Sequence, residues 1–373
     1  MIRLVPFASV VLAACAASVA RADTLQVPAD HPTIQAAIDA ATDGDQIVIR
    51  KGTYAEAVVI DGASGKNNLT LRGRGKPLLD GAGQATCLTI VNASGITVVG
   101  LTFQGADRNG VLVQDSTGVT ITKCISRDMG NGGGLEGAGV HLTGGSGHTV
   151  ESNRIEDCER AGIRFSRDAG SGTTDCVIAG NKIFRGQAGI CVDGGGHTVR
   201  GNKVKDVGFQ GILVEDEAAP CTFDGNLVKR SGDYAVAVVG GTHTFRANRF
   251  VQTQTTGVWL GSAGSGTTFD GDKIIKSSST GIEVDADGTT LRNLKVVGSG
   301  DHGIDVDATG CLVEGCKVIR TKDDAFKARR GGNTFRGNKA KKSRDRDLDD
   351  DAGQGANTYE DNKFDPDKVN VQL

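Results

Sequence analysis

The chain has 373 residues, among them 55 Gly and only 6 Pro, with 4% aromatics. Such a composition describes short strands and tight turns, and it favours one long repetitive domain over two average ones. The formal net charge of -3 becomes -5 once Arg3 and Arg21 are removed with a leader, which argues against nucleic acid as the main partner.

The N-terminus reads as a secretory signal. Met1-Ile2-Arg3 is followed by apolar residues through Val19 and by the small-x-small site Ala20-Arg21-Ala22, so cleavage is expected after Ala22. The mature chain is then one domain over residues 23–373, secreted or periplasmic and monomeric. Leu12-Ala13-Ala14-Cys15 also fits a bacterial lipoprotein box, with Cys15 as the lipidated end. No other apolar run is long enough for a transmembrane segment. The eight Cys of the mature chain show no CxxC metal pattern, and burial is their expected fate.

A short capping helix is expected within residues 31–44. Thr33 is its N-cap, Ile34, Ala37, Ile38 and Ala41 share one face, and Asp43-Gly44 ends it. The phrase TIQAAIDAATDGDQIVIRKGTYAEAVVI, Thr33 to Ile60, resembles the opening of the pectin-lyase-like superfamily of right-handed parallel β-helices. In that superfamily such a helix plugs the first coil.

The rest of the chain supports the same all-β fold through its repeats. The marker Gly-Ile-x-Val begins at Gly110, Gly139, Gly162, Gly189, Gly211, Ala235, Gly257, Gly281, Gly303, Ala325 and Asp347, 22 or 24 residues apart after Gly189. A second marker, Gly-Asn-Lys-Val, recurs with it. A period near 22 with paired β-branched residues predicts one solenoid coil per repeat, and the leucine-rich frame is missing. Asn181, Asn202, Asn226, Asn248, Asn338 and Asn362 then form a ladder of buried amides that satisfy one another. Two longer steps, through residues 129–134 and 168–172, are expected to leave the coil as loops.

Alternation sends the Ile and Val of each marker inward and the x residues outward. One outward column therefore reads Leu213, Ala237, Trp259, Glu283, Asp305, Lys327, Asp349, and the next reads Glu215, Val239, Gly261, Asp285, Asp307, Arg329, Asp351. Glu283, Asp285, Asp305 and Asp307 make a two-by-two grid of like charges, which a sheet tolerates only with compensation. Either Lys327 and Arg329 supply it, or a hard cation such as Ca²⁺ does. Charge is also banded: residues 317–346 carry twelve bases and three acids, between acidic stretches on either side. A basic band of that kind suits a polyanionic chain.

Asp323-Asp324-Ala325-Phe326-Lys327 resembles the Asp-Asp-x-Ile-x-Ile-Lys phrase of polygalacturonase-type glycosidases. That resemblance implies hydrolysis by Asp323 and Asp324, but His302 and Arg346 stand where the family has Asp and His. The grid is also similar to the metal sites of the calcium-dependent polysaccharide lyases of the superfamily. Carried over, it implies Ca²⁺ at Glu283, Asp285, Asp305 and Asp307, Lys327 as the base with His302 as fallback, and Arg329 and Arg330 gripping substrate carboxylates. Trp259, the only Trp, is the expected stacking surface for a sugar. The expected function is metal-assisted elimination on an acidic uronate polysaccharide. Two alternatives are a non-catalytic glycan-binding or structural β-helix, like the copper-maturation β-helix proteins, and a hydrolase or epimerase on the same face.

Overall fold

The computed structural model describes residues 22–130, 137–167, 172–215 and 219–371. The expected leader with Cys15, and most of the two expected loops, lie outside the described residues. Within them the chain winds into a right-handed solenoid of three parallel sheets with 15, 13 and 13 strands, each coil giving one strand to each sheet. Strands Ile282–Val284, Thr290–Arg292 and Lys295–Val297 make up one coil, and Ile304–Val306 begins the next.

The cap forms as the sequence predicts. Helix Ile34–Ala40 starts at Thr33, whose side chain accepts from the Ala36 amide, and it buries Ile34, Ala37 and Ile38 against the first coils. Glu56 accepts from the free amides of Ile34 and Gln35, while the Lys66 ammonium donates to the carbonyls of Asp39 and Ala41. Both helix ends are thereby satisfied by side chains of the charge that the helix dipole favours.

Inside the solenoid, equivalent residues stack in columns. Phe223, Phe245 and Phe269 lie face to face, with ring centroids 4.4 Å apart at each step. The marker residues Ile282, Val284, Ile304 and Val306 are fully buried. Marker glycines are explained by close approach: a Cβ at Gly281 would lie 2.4 Å from the Gly303 carbonyl oxygen of the next coil.

The second marker has two causes. Its Gly turns the chain through the left-handed region, with φ of 62° at Gly180 and Gly201 and 61° at Gly225. Its Asn builds the expected ladder. The amide and Nδ2 of Asn181 both donate to Asn202 Oδ1, those of Asn202 to Asn226 Oδ1, and those of Asn226 to Asn248 Oδ1, at 2.8 to 3.1 Å. Each Nδ2 also donates to a backbone carbonyl of an earlier coil, as Asn226 does to Val199. Asn153 extends the ladder upstream, and Asp272 receives it downstream. Three His residues do similar work at another turn, where the Nδ1 atoms of His148, His197 and His243 accept from the amides of Val119, Cys176 and Cys221. All eight Cys from Cys87 to Cys316 are buried and unpaired.

Candidate functional site

The marker sheet carries the expected outward column in register. Ala237 pairs with Trp259, Trp259 with Glu283, Glu283 with Asp305, Asp305 with Lys327, and Lys327 with Asp349. Parallel strands hold such neighbours about 4.8 Å apart, so these side chains must settle with one another.

Downstream of the grid they settle as ion pairs. Arg329 grips Asp305 with both Nε and Nη2, the latter at 2.7 Å from Oδ2. Arg330 Nε meets Asp307 Oδ1 at 2.6 Å. Lys327 reaches the other way, to Asp349 and to Asp351, the second at 2.8 Å. Burial works against the Lys327 charge, but its hydrogen bonds to Asp349 and Asp351 outweigh that and hold its proton more firmly than usual. Lys327 is thus kept as a cation, whereas the base role expected of it requires a neutral amine. Arg346 completes the cluster by pairing with Asp349.

Upstream, Glu283 and Asp285 form no ion pair among the described residues. Burial, reinforced by Asp285 and Asp305, raises the Glu283 carboxyl above its ordinary range. Burial also raises that of Asp285, partly offset by a hydrogen bond from Trp259 Nε1 at 3.1 Å. Of the four carboxylates expected to bind Ca²⁺, then, two carry an arginine and two lack a cation partner. Calcium takes about six to eight oxygens, so an ion in the grid would have to displace Arg329 and Arg330.

Trp259 stands in line with Glu283 as expected, and it stacks on Tyr234 with centroids 5.8 Å apart. The turn before the marker is less exposed than its charge suggests. Asp324 is 3% exposed and His302 9%, although Asp301 and Asp323 in the same turns stay partly exposed. His302 Nδ1 lies 3.4 Å from Asp324 Oδ2 and 3.9 Å from Asp323 Oδ2. Burial pushes the Asp324 carboxyl up to about 6.

One feature lies outside the expected site. The outward column continues upstream from Ala237 through Leu213 and Cys191 to Arg164 and His141. Here the face opens into a cleft of about 580 Å³, lined by Arg160, Arg164, Arg167, Phe209 and Glu215 among others. Phe209 is 52% exposed, a rare position for a large apolar side chain in this molecule. The sequence did carry a signal, three arginines within Arg160–Arg167, but the marker spacing is irregular there and hides the alignment.

Several solved structures share this architecture. The siphovirus 9NA tailspike receptor binding domain is 15% identical, with a TM-score of 0.69 over 90% of this chain and 76% of that one. The A-module of Azotobacter vinelandii mannuronan C-5 epimerase AlgE6 is 14% identical, with a TM-score of 0.55 over 89% and 94%. The Agl-KA catalytic domain is 15% identical, with a TM-score of 0.56 over 100% and 69%. At such identities the likeness is one of fold. No curated protein matches the chain. Among the described residues no helix is long and apolar enough to cross a membrane. The family model described as right handed beta helix region matches residues 56–228 and 210–365, and the chain belongs to that family.

Proposed function

We propose that this protein is an exported carbohydrate-active β-helix that binds an acidic polysaccharide lengthwise along its marker sheet and abstracts a proton beside a uronate carboxylate. The observation that carries this reading is the order of groups along one column. Arg164, Cys191, Leu213, Ala237, Trp259 and Glu283 follow one another coil by coil. Five steps of about 4.8 Å span about 24 Å, room for several sugars. At one end Arg160 and Arg164 offer guanidiniums suited to carboxylates. Exposed Phe209 and the Tyr234–Trp259 pair supply faces for sugar rings. At the other end stands Glu283, without a cation partner and next to Trp259.

In this reading Glu283 takes the proton from the carbon bearing the uronate carboxylate. The electron pair left behind either expels the neighbouring glycosidic oxygen, giving an unsaturated sugar, or recaptures a proton from the opposite face, giving the epimer. A second reading, a binder without catalysis, is favoured by the neutralisation of Asp305 by Arg329, Asp307 by Arg330 and Lys327 by Asp349.

Incubation with pectate, alginate and glycosaminoglycan, with added Ca²⁺ or chelator, tests both. Ultraviolet absorbance reports unsaturated ends, and proton NMR reports inverted uronates. At least one substrate is expected to react, with Glu283→Gln abolishing product but retaining binding. Binding without either product would leave the second reading, and no binding to any of the three would sink both.

A further inference from the structure

We infer that the turn preceding the marker strands holds a first-row divalent cation of the Mn²⁺, Co²⁺ or Zn²⁺ type, bound by Asp301, His302 and Asp323, with Asp324 and Asp345 grouped beside it through Asp323. This site is separate from the Glu283 grid and does not depend on the glycan reading.

The turn repeats with the coil, so Asp301, Asp323 and Asp345 fall 22 residues apart in one column. Donor atoms of Asp301, His302 and Asp323 all lie within 4.8 Å of one another, and so do those of Asp323, Asp324 and Asp345. Asp323 belongs to both groups. Among the described residues no Lys or Arg forms an ion pair with Asp301, Asp323 or Asp345, although Asp305, Asp307, Asp349 and Asp351 on the adjacent strands are all paired. The one nearby arginine with a bond to this turn, Arg346, gives its backbone amide to Asp324 Oδ1 and its guanidinium to Asp349.

An acidic column alone would be a solvated edge. What distinguishes this one is His302, a residue about nine-tenths buried whose Nδ1 has no hydrogen-bond partner. That nitrogen faces Asp324 Oδ2 and Asp323 Oδ2 at 3.4 and 3.9 Å, spacings that ligands of one small cation adopt. Nε2 of the same ring faces Asp301 Oδ1 at 3.8 Å, so the imidazole has carboxylates on both sides. A mixed set of one imidazole and several carboxylates favours first-row ions over Ca²⁺, which prefers oxygen alone.

The test uses the mature protein stripped with chelator and titrated with MnCl₂ or CoCl₂. One ion per chain is expected, with Co²⁺ d–d absorption and, for Mn²⁺, nitrogen coupling in pulsed electron paramagnetic resonance. His302→Gln and Asp323→Asn should each weaken affinity about tenfold or more, while Glu283→Gln leaves it unchanged. Because Glu283→Gln is also the variant expected to lose polysaccharide turnover, failure here and failure of the glycan reading are told apart. Absence of binding at millimolar metal, or equal binding by His302→Gln, would overturn the inference and leave His302 and Asp324 as a metal-free pair. Should the variants misfold by circular dichroism, the nitrogen coupling of the wild type decides, and its absence counts against the site.

Discussion

Two columns of polar side chains run along this solenoid, one inside and one outside, and they solve the same stacking problem differently. The inner column repeats a single residue, because Asn both donates and accepts and can therefore bond to its own copy on the next coil. The outer column cannot repeat a charge. From Asp305 onward it alternates, Asp305 with Arg329 and Lys327 with Asp349, so that every carboxylate meets a cation. Places where alternation breaks down are therefore informative: Glu283 beside Asp285, and Asp301 above Asp323 and Asp345. Both breaks lie where the candidate sites are.

Interrupting the inner ladder has the largest expected effect. Asn226→Ala strands the amide and Nδ2 of Asn202 and the Val199 carbonyl, while Asn248 Oδ1 keeps the backbone amide of residue 226, and it is expected to cost about 3 to 5 kcal/mol. A loss below about 1 kcal/mol in urea denaturation would show that water replaces the ladder.

Asp272 is the inner column's own exception. Its Oδ1 accepts from Asn248, but its Oδ2 is buried without a partner, and burial pushes its carboxyl up to about 7. Because the folded state binds this proton more tightly than the unfolded one, the contribution is full below about pH 4 and is lost as pH rises through 7. Asp272→Asn should therefore raise stability at pH 8 by about 2 to 4 kcal/mol and change little at pH 4. Equal melting temperatures for the two proteins at pH 8 would refute this.

The outer column predicts smaller effects that depend on burial. Removing Arg329 leaves Asp305, whose side chain is 7% exposed, without its partner, and Arg329→Ala should cost about 2 kcal/mol. Arg330→Ala frees an Asp307 already in solvent, and no measurable shift in melting temperature is expected. Equal effects would mean that burial does not separate the two pairs. Ala247 occupies with φ of 51° the turn position that Gly fills elsewhere, so Ala247→Gly should gain about 1 kcal/mol in thermal denaturation.

Much of this was legible in the sequence because a solenoid converts spacing into contact. The 22-residue period correctly places Trp259, Glu283, Asp305, Lys327 and Asp349 side by side, since a parallel register leaves little freedom. Period alone does not say which way a long side chain leans. Lys327 turns toward Asp349 and Arg329 back to Asp305, and that choice decides which carboxylates remain without a cation. Burial of the turn was also invisible, so His302 read as a rim residue. The His ladder carried a signal in the recurring His-Thr at His148, His197 and His243, but turn residues have no alternation to mark them.

The Asn ladder has a direction. Between side chains donation runs one way, from the amide and one Nδ2 proton of each rung to Oδ1 of the next, while the other Nδ2 proton goes to a carbonyl of an earlier coil, so the side-chain amides share one orientation along the axis. Any rung can therefore follow any other. Deleting residues 203–226, which joins Asn202 directly to the coil of Asn248, would leave donor facing acceptor as before. A molecule assembled on that rule can lengthen or shorten by whole coils, and the span of its outer face becomes a matter of counting.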